Sequence, residues 1–271
     1  MRPNPLKELW SSGKAVAVGW QSTADTYVAE TMANSGFDAL VLDMQHGMGI
    51  GPDRAVQWLQ VVSTTNTVPI VRVPWNEPVF IQTVLDAGAY GVIVPLVNNG
   101  LEAIKAGKAS RYAPVGFRSV GPNRARYYGG ADYTQFANDE ILCFVMVEHP
   151  DTLANLSDMA AAPGVDGFYI GPSDLAVAMG LPSATGQDDP RHQEACQQVL
   201  DVAKKHGIVA GIHCGSPEQA AARFEQGFQF CPVGSDVGFV SRGATAAMDH
   251  VREVLPNLIS EDGPKSISGG Y

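Results

Sequence analysis

ALVLDMQHGMG, residues 39–49, carries two signals that do not belong to one element. Ala39 to Leu42, with Met44, make the short continuous apolar run of a strand buried on both faces. Asp43, Gln45 and His46 then set an acid, an amide and an imidazole where that strand ends, and Gly47 and Gly49 follow. One such end is an ordinary strand-to-helix turn. The fold and the function depend on whether other strands end the same way.

Seven further runs of this type recur along the chain: AVAVGW (15–20), VPIVRV (68–73), YGVIVPL (90–96), ILCFVMVE (141–148), VDGFYIG (165–171), IVAGIHC (208–214) and FQFCPVG (228–234). Helical patterns such as TADTYVAETMANSG, PDRAVQWLQVVSTT and PEQAAARFEQG lie between them. Gly36, Gly207 and Gly227 stand where left-handed helix caps are needed. Eight β-α units in about 250 residues predict an α/β fold, a single (β/α)8 TIM barrel. A doubly wound open sheet is the rival and usually has fewer strands. The barrel is expected over residues 1–257, with 258–271 a weakly ordered tail. Segments 111–140 and 176–191 exceed ordinary loop length.

A net charge of −10 argues against nucleic acid or an anionic membrane as the main partner. Cys143, Cys196, Cys214 and Cys231 form neither a CxxC pair nor a zinc spacing, which points to reduced thiols. The opening MRPNPLKELWSSGK has no signal-peptide core, and no apolar run is long enough for a bilayer. A cytoplasmic protein acting on small molecules is the expectation.

In such barrels the active site is built where the strands end. Strand two ends in Asp43, Gln45 and His46; strand three carries Arg72; strand five ends in Glu148 and His149. Strand six runs into GPSD with Asp174, strand seven ends in His213, and strand eight ends in Ser235 and Asp236. Glu148 and Asp174, on neighbouring strands, suit a hard divalent ion that keeps sites free for water and a chelating substrate. The plainer alternative is that each caps the following helix. That fits Asp174 in PSDLAVAMG, and fits Glu148 less well, since Asp151 is the better placed cap. Arg72 inside an apolar run suits an oxyanion or carboxylate, or else an internal salt bridge that closes the barrel. His46, with Asp43 three residues before it, points to acid–base catalysis, with a structural histidine as the alternative. No lysine stands at the mouth to form a Schiff base, so a carbon–carbon lyase here would need a metal as electron sink.

These residues resemble the HpcH/HpaI aldolases, the metal-dependent class II pyruvate aldolases. The likeness covers nearly the whole chain, through VLDMQHG, VRVPWN, VLDAGAYGVIVPLV, YAPVGFRSVGPNRA, MVEHPDTLAN and VDGFYIGPSDLAVAMG. The resemblance implies that Glu148 and Asp174 bind Mg²⁺, Mn²⁺ or Co²⁺ and that Arg72 contacts the pyruvate carbonyl oxygen. It implies that His46 is the catalytic histidine, with Asp86 its acidic partner from across a subunit contact. The backbone around Gly171, Pro172 and Ser173 would hold the pyruvate carboxylate, proline itself supplying no N–H. The implied assembly is a homo-hexamer, a trimer of dimers.

The implied reaction is reversible cleavage of a 4-hydroxy-2-oxo acid to pyruvate, or an analogue such as hydroxypyruvate, and an aldehyde. The nearest rival is an oxaloacetate decarboxylase or related lyase of the same family. A phosphate-binding isomerase using VGSDVG and a non-catalytic barrel are more distant ones. One departure stands out: many members of the family have glutamate where this chain has Gln45, which cannot carry charge. The aldehyde half of the site is where that loss should be felt.

Overall fold

The computed structural model describes residues 1–256. Eight parallel strands close into a barrel in sequence order: β1 (Val16–Gln21), β2 (Ala39–Asp43), β3 (Val68–Arg72), β4 (Gly91–Val94), β5 (Leu142–Val147), β6 (Gly167–Ile170), β7 (Val209–Ile212) and β8 (Phe230–Ser235). Each predicted strand is present, shifted or shortened at its ends by up to three residues. The expected tail, 258–271, lies outside the described residues.

Twelve helices accompany them among those residues. Helix α1 (Pro5–Ser11) precedes the barrel, and α2 (Thr26–Ala33), α3 (Pro52–Val62), α4 (Pro78–Asp86) and α5 (Gly100–Ala109) follow β1 to β4 in turn. The segment 111–140 is not a plain loop, since it holds α6 (Ala125–Gly129) and α7 (Tyr133–Glu140). Then come α8 (Pro150–Ala160), α9 (Pro172–Ala178), α10 (Pro190–His206), α11 (Pro217–Gln226) and α12 (Asp236–Val254), with a 3₁₀ turn at Thr185–Asp188. Gly207 and Gly227 cap α10 and α11 in left-handed conformations, as their positions required. Gly36 is left-handed too, but lies beyond the α2 cap at Asn34.

The interior is an aromatic column. Trp10 of α1 plugs the bottom against Phe144 and Phe230, whose rings stack 5.0 Å apart. Tyr169 sits edge-on to Phe230, and Trp20 stacks on Tyr169 at 5.8 Å. Trp20 thus forms the top apolar layer, and the Arg72 guanidinium lies 4.9 Å over its ring. The column ends at the mouth with a charge.

Helix α12 is the exception to an otherwise well-packed outer layer. Over 19 residues only Asp236 is buried, while Val237, Val240, Met248 and Val254 are exposed.

Candidate active site

Asp43 and Arg72 are direct register partners at the ends of β2 and β3. Side chains paired this way share a face, and these two form a bidentate ion pair: Arg72 Nε donates to Oδ1 at 2.9 Å and Nη2 to Oδ2 at 2.5 Å. Both are buried, Asp43 at 2% exposure and Arg72 at 7%. Burial alone would raise the Asp43 pKa. The guanidinium and the backbone N–H groups of His46 and Gln45 outweigh it and hold the carboxyl below its usual range. Those two N–H bonds, at 3.1 and 3.0 Å, also turn the chain sharply after β2. Gly47 completes the turn where a Cβ would meet the Asp43 carbonyl oxygen at 2.1 Å. The motif therefore fixes the backbone that carries His46, whose side chain stands exposed on the rim. Gln45 is half-buried, and its Oε1 is a buried acceptor with no protein partner.

The β5–β6 side is organised differently. Glu148, directly after β5, is 6% exposed and accepts a 2.5 Å hydrogen bond from the Leu96 N–H. Leu96 is held at φ 56°, a left-handed conformation unusual for a non-glycine residue, and this aims its N–H at the carboxylate. Asp174 lies in the first turn of α9, exposed at the mouth. Gly171 separates the two acids. A Cβ there would stand 3.0 Å from Met146 Cε and 3.4 Å from both Asp174 Oδ2 and Glu148 Cβ, so Gly171 lies against both acids. Burial, with the nearby Asp174 charge adding to it, raises the Glu148 pKa despite the Leu96 N–H. Among the described residues neither acid forms an ion pair, and no third His, Cys, Asp or Glu joins them.

Helix capping does not account for either acid. The N-cap of α9 is Gly171, with no side-chain cap bond, and α8 is capped by His149, whose Nδ1 accepts from the Asp151 N–H. Asp151 is thus not the cap that its position suggested; the cap is His149 and the helix begins at Pro150, two residues earlier than an Asp151 cap would start it. Pro172 and Ser173 form the first turn of α9 beside Asp174.

Asp86 is placed elsewhere. As the last residue of α4, it lies where the chain has returned to the start of β4, at the end of the barrel opposite His46. There it receives Arg118 Nη2 at 2.7 Å. One chain does not bring His46 and Asp86 together. Ser235 and Asp236 at the end of β8 are structural: Ser235 caps α12, and Asp236 accepts from the Ser22 and Thr23 N–H groups and the Thr23 hydroxyl.

What gathers at the mouth is thus one neutralised pair, an exposed imidazole and two acids that both lie against Gly171. Two carboxylates without a cation fit a divalent ion by charge and donor type.

The family model of the HpcH/HpaI aldolase/citrate lyases matches residues 17–242 of this sequence. The chain belongs to that family. A hydroxypyruvate/pyruvate aldolase of Rhizorhabdus wittichii is 32% identical over 92% of this chain and 99% of its own. A 4-hydroxy-2-oxo-heptane-1,7-dioate aldolase of Klebsiella pneumoniae is 35% identical over 90% of this chain and 92% of its own. The crystal structure of an HpcH/HpaI aldolase/citrate lyase family protein from Burkholderia cenocepacia superposes with a TM-score of 0.85. It is 30% identical and covers 92% of this chain and 99% of its own.

Within this HpcH/HpaI barrel, two contributors had left little trace in the sequence. Leu96 acts through its backbone, and nothing in VPLVNNG announces that. His213 was legible as a strand end but carried no role. The structure places its ring edge-on to Trp20 at 4.7 Å and its Nδ1 2.9 Å from the Tyr169 hydroxyl. Burial, then the Arg72 charge, push its pKa down to about 4, so it is neutral near pH 7.

Proposed function

We infer that this protein is a divalent-metal-dependent aldol lyase. It cleaves a 4-hydroxy-2-oxo acid reversibly to pyruvate, or a close analogue such as hydroxypyruvate, and an aldehyde. The observation that carries this reading is the unpaired Glu148–Asp174 couple across Gly171, facing an arginine already held rigid by Asp43.

Glu148 and Asp174 would hold Mg²⁺, Mn²⁺ or Co²⁺, which when bound supplies Lewis-acid polarisation of the 2-oxo group. The backbone of the Gly171–Ser173 turn faces the substrate carboxylate in this reading, through the Ser173 N–H, since the Gly171 N–H is taken by the Val147 carbonyl and Pro172 has none. Asp43 uses two of the three Arg72 nitrogens, which leaves Nη1 for the oxygen on which enolate charge develops. His46 takes the proton from the C4 hydroxyl, the C3–C4 bond breaks with its electron pair left on the three-carbon fragment, the aldehyde leaves, and C3 takes up a proton to give pyruvate. Gln45 at the rim, neutral where many relatives carry an acid, bears on which aldehydes are accepted.

Asp86 serves His46 from a neighbouring subunit, and two features support that arrangement. The pair lies at opposite ends of one barrel, and α12 leaves its apolar residues uncovered. A trimer of dimers, the family-like hexamer, would bring such pairs together. Sedimentation velocity measures the assembly directly.

The decisive assay follows pyruvate release from a panel of 4-hydroxy-2-oxo acids. Activity should vanish with chelator and return with Mn²⁺ or Mg²⁺, and borohydride with pyruvate should leave no lysine adduct. A trapped adduct would end the metal reading. Carbon dioxide from oxaloacetate without any aldol cleavage would favour the decarboxylase instead.

A further inference from the structure

The turn that carries Asp174 has no cap of its own. Its N-cap is Gly171, and its first helical residue, Pro172, has no N–H. The Gly171 N–H is held by the Val147 carbonyl at 3.1 Å, and the residues after it are held from α10. His192, in its first turn, is completely buried, and a polar ring in that position needs partners. Its Nε2 lies 2.9 Å from the Pro172 carbonyl oxygen, and its Nδ1 lies 3.7 Å from Cys196 Sγ.

These two contacts fix the tautomer. A carbonyl only accepts, so Nε2 carries the proton. Burial keeps the ring neutral, so Nδ1 keeps its lone pair and accepts from the Cys196 thiol. The same helix reaches the turn a second time: Gln193 donates to the Gln187 carbonyl, and Gln187 Nε2 donates to Ser173 Oγ at 3.2 Å. Pro172 and Ser173 are thus both held from outside, and the next residue is Asp174.

We propose that His192 is the positioning residue of this site, holding the Gly171–Asp174 turn so that Asp174 stays aligned with Glu148. The inference rests on the reading of those two acids as metal ligands. Alignment matters because a divalent ion shared by two carboxylates needs both in place, and Gly171 lies against each of them: a Cβ there would stand 3.4 Å from Asp174 Oδ2 and from Glu148 Cβ. A tether two residues from Asp174 acts as outer-shell partners do in metal sites, where loss of one costs about 10–100-fold in metal affinity or activity.

The test uses the full-length protein and three substitutions. Glutamine places an amide N–H near the Nε2 position; asparagine places one near Nδ1; leucine fills space without a donor. Mn²⁺ affinity is read by electron paramagnetic resonance, and amide hydrogen exchange over residues 167–180 is read on metal-free protein. His192→Leu and His192→Asn should weaken Mn²⁺ binding by about 10–100-fold and speed exchange in that segment. His192→Gln should restore most of both.

A folded His192→Leu protein with wild-type Mn²⁺ affinity would overturn the proposal. If that variant does not fold, equal affinities for the Gln and Asn variants would overturn it instead. If the wild type binds no Mn²⁺, the ligand assignment fails. The exchange data then decide alone on the tether, and unchanged exchange in His192→Asn would refute it.

Discussion

The two halves of the barrel mouth use similar side chains on opposite electrostatic plans. On the β2–β3 side the acid is answered within the chain, by a bidentate arginine over a tryptophan face. On the β5–β6 side neither of the two acids forms an ion pair among the described residues; the buried one accepts the Leu96 N–H and feels the Arg72 charge only at a distance. The first half has fixed geometry before any ligand arrives. The second has no ion pair of its own, and on the metal reading a divalent ion would bind there. The fixed pair and the two unpaired acids thus stand on separate strand pairs, with β4 between them.

The largest expected effect breaks the β5–β6 half. Asp174→Asn removes a charge that Glu148 alone cannot replace. Mn²⁺ affinity should fall by more than the roughly 100-fold upper range for loss of an outer-shell partner, and aldol cleavage should go with it. Isothermal titration with Mn²⁺ checks the first, and pyruvate release the second.

Arg72→Lys should separate the halves kinetically. Lysine keeps the charge but loses the planar fork that Asp43 grips. We expect kcat to fall by about 10²–10³, with Mn²⁺ affinity unchanged. Exchange of pyruvate methyl protons in deuterated water, followed by NMR, should slow in parallel. Normal exchange would make the arginine a purely structural partner.

Stability should respond with opposite signs on the two sides. Asp43→Asn leaves a buried guanidinium unpaired and should cost about 3–5 kcal/mol in urea unfolding. Glu148→Gln, measured on metal-free protein, should cost nothing or stabilise, since burial already disfavours that carboxylate. Equal destabilisation by both would erase the contrast drawn here.

Much of this was legible in the sequence for one physical reason. Strands buried on both faces read as apolar runs, so Arg72 or Glu148 interrupting such a run is conspicuous. The rule reaches only side chains that break a pattern. Leu96 keeps the pattern and acts through its amide. His149 displaced Asp151 as a cap because an imidazole nitrogen serves where an acid was expected. His192 sits on an ordinary helix, and its tether to Pro172 spans 20 residues with no periodic signature. The helices α6 and α7 were hidden by the glycine-rich, aromatic composition of 111–140.

The smallest effect is pH-dependent and belongs to the layer beneath both halves. His213 titrates near 4 when folded and near 6.5 when unfolded, so the unfolded chain binds the extra proton between those values. Stability should therefore fall as pH drops from about 6.5 toward 4, by up to roughly 3 kcal/mol from this group. His213→Gln should flatten that part of the urea-midpoint profile. An unchanged slope would assign it to other groups.

Leu96 has a consequence for anyone who engineers this barrel. A non-glycine residue in the left-handed region is strained by about 1–2 kcal/mol, and stabilisation schemes that relieve backbone strain would choose glycine there. Leu96→Gly should indeed relieve that strain, though it also frees the unfolded chain. The same freedom loosens the amide that aims at Glu148. If Glu148 is a metal ligand as proposed, selection for heat resistance alone would favour a variant in which that carboxylate wanders, while selection for turnover would keep the leucine. The strained residue marks a site where robustness and catalysis pull against each other.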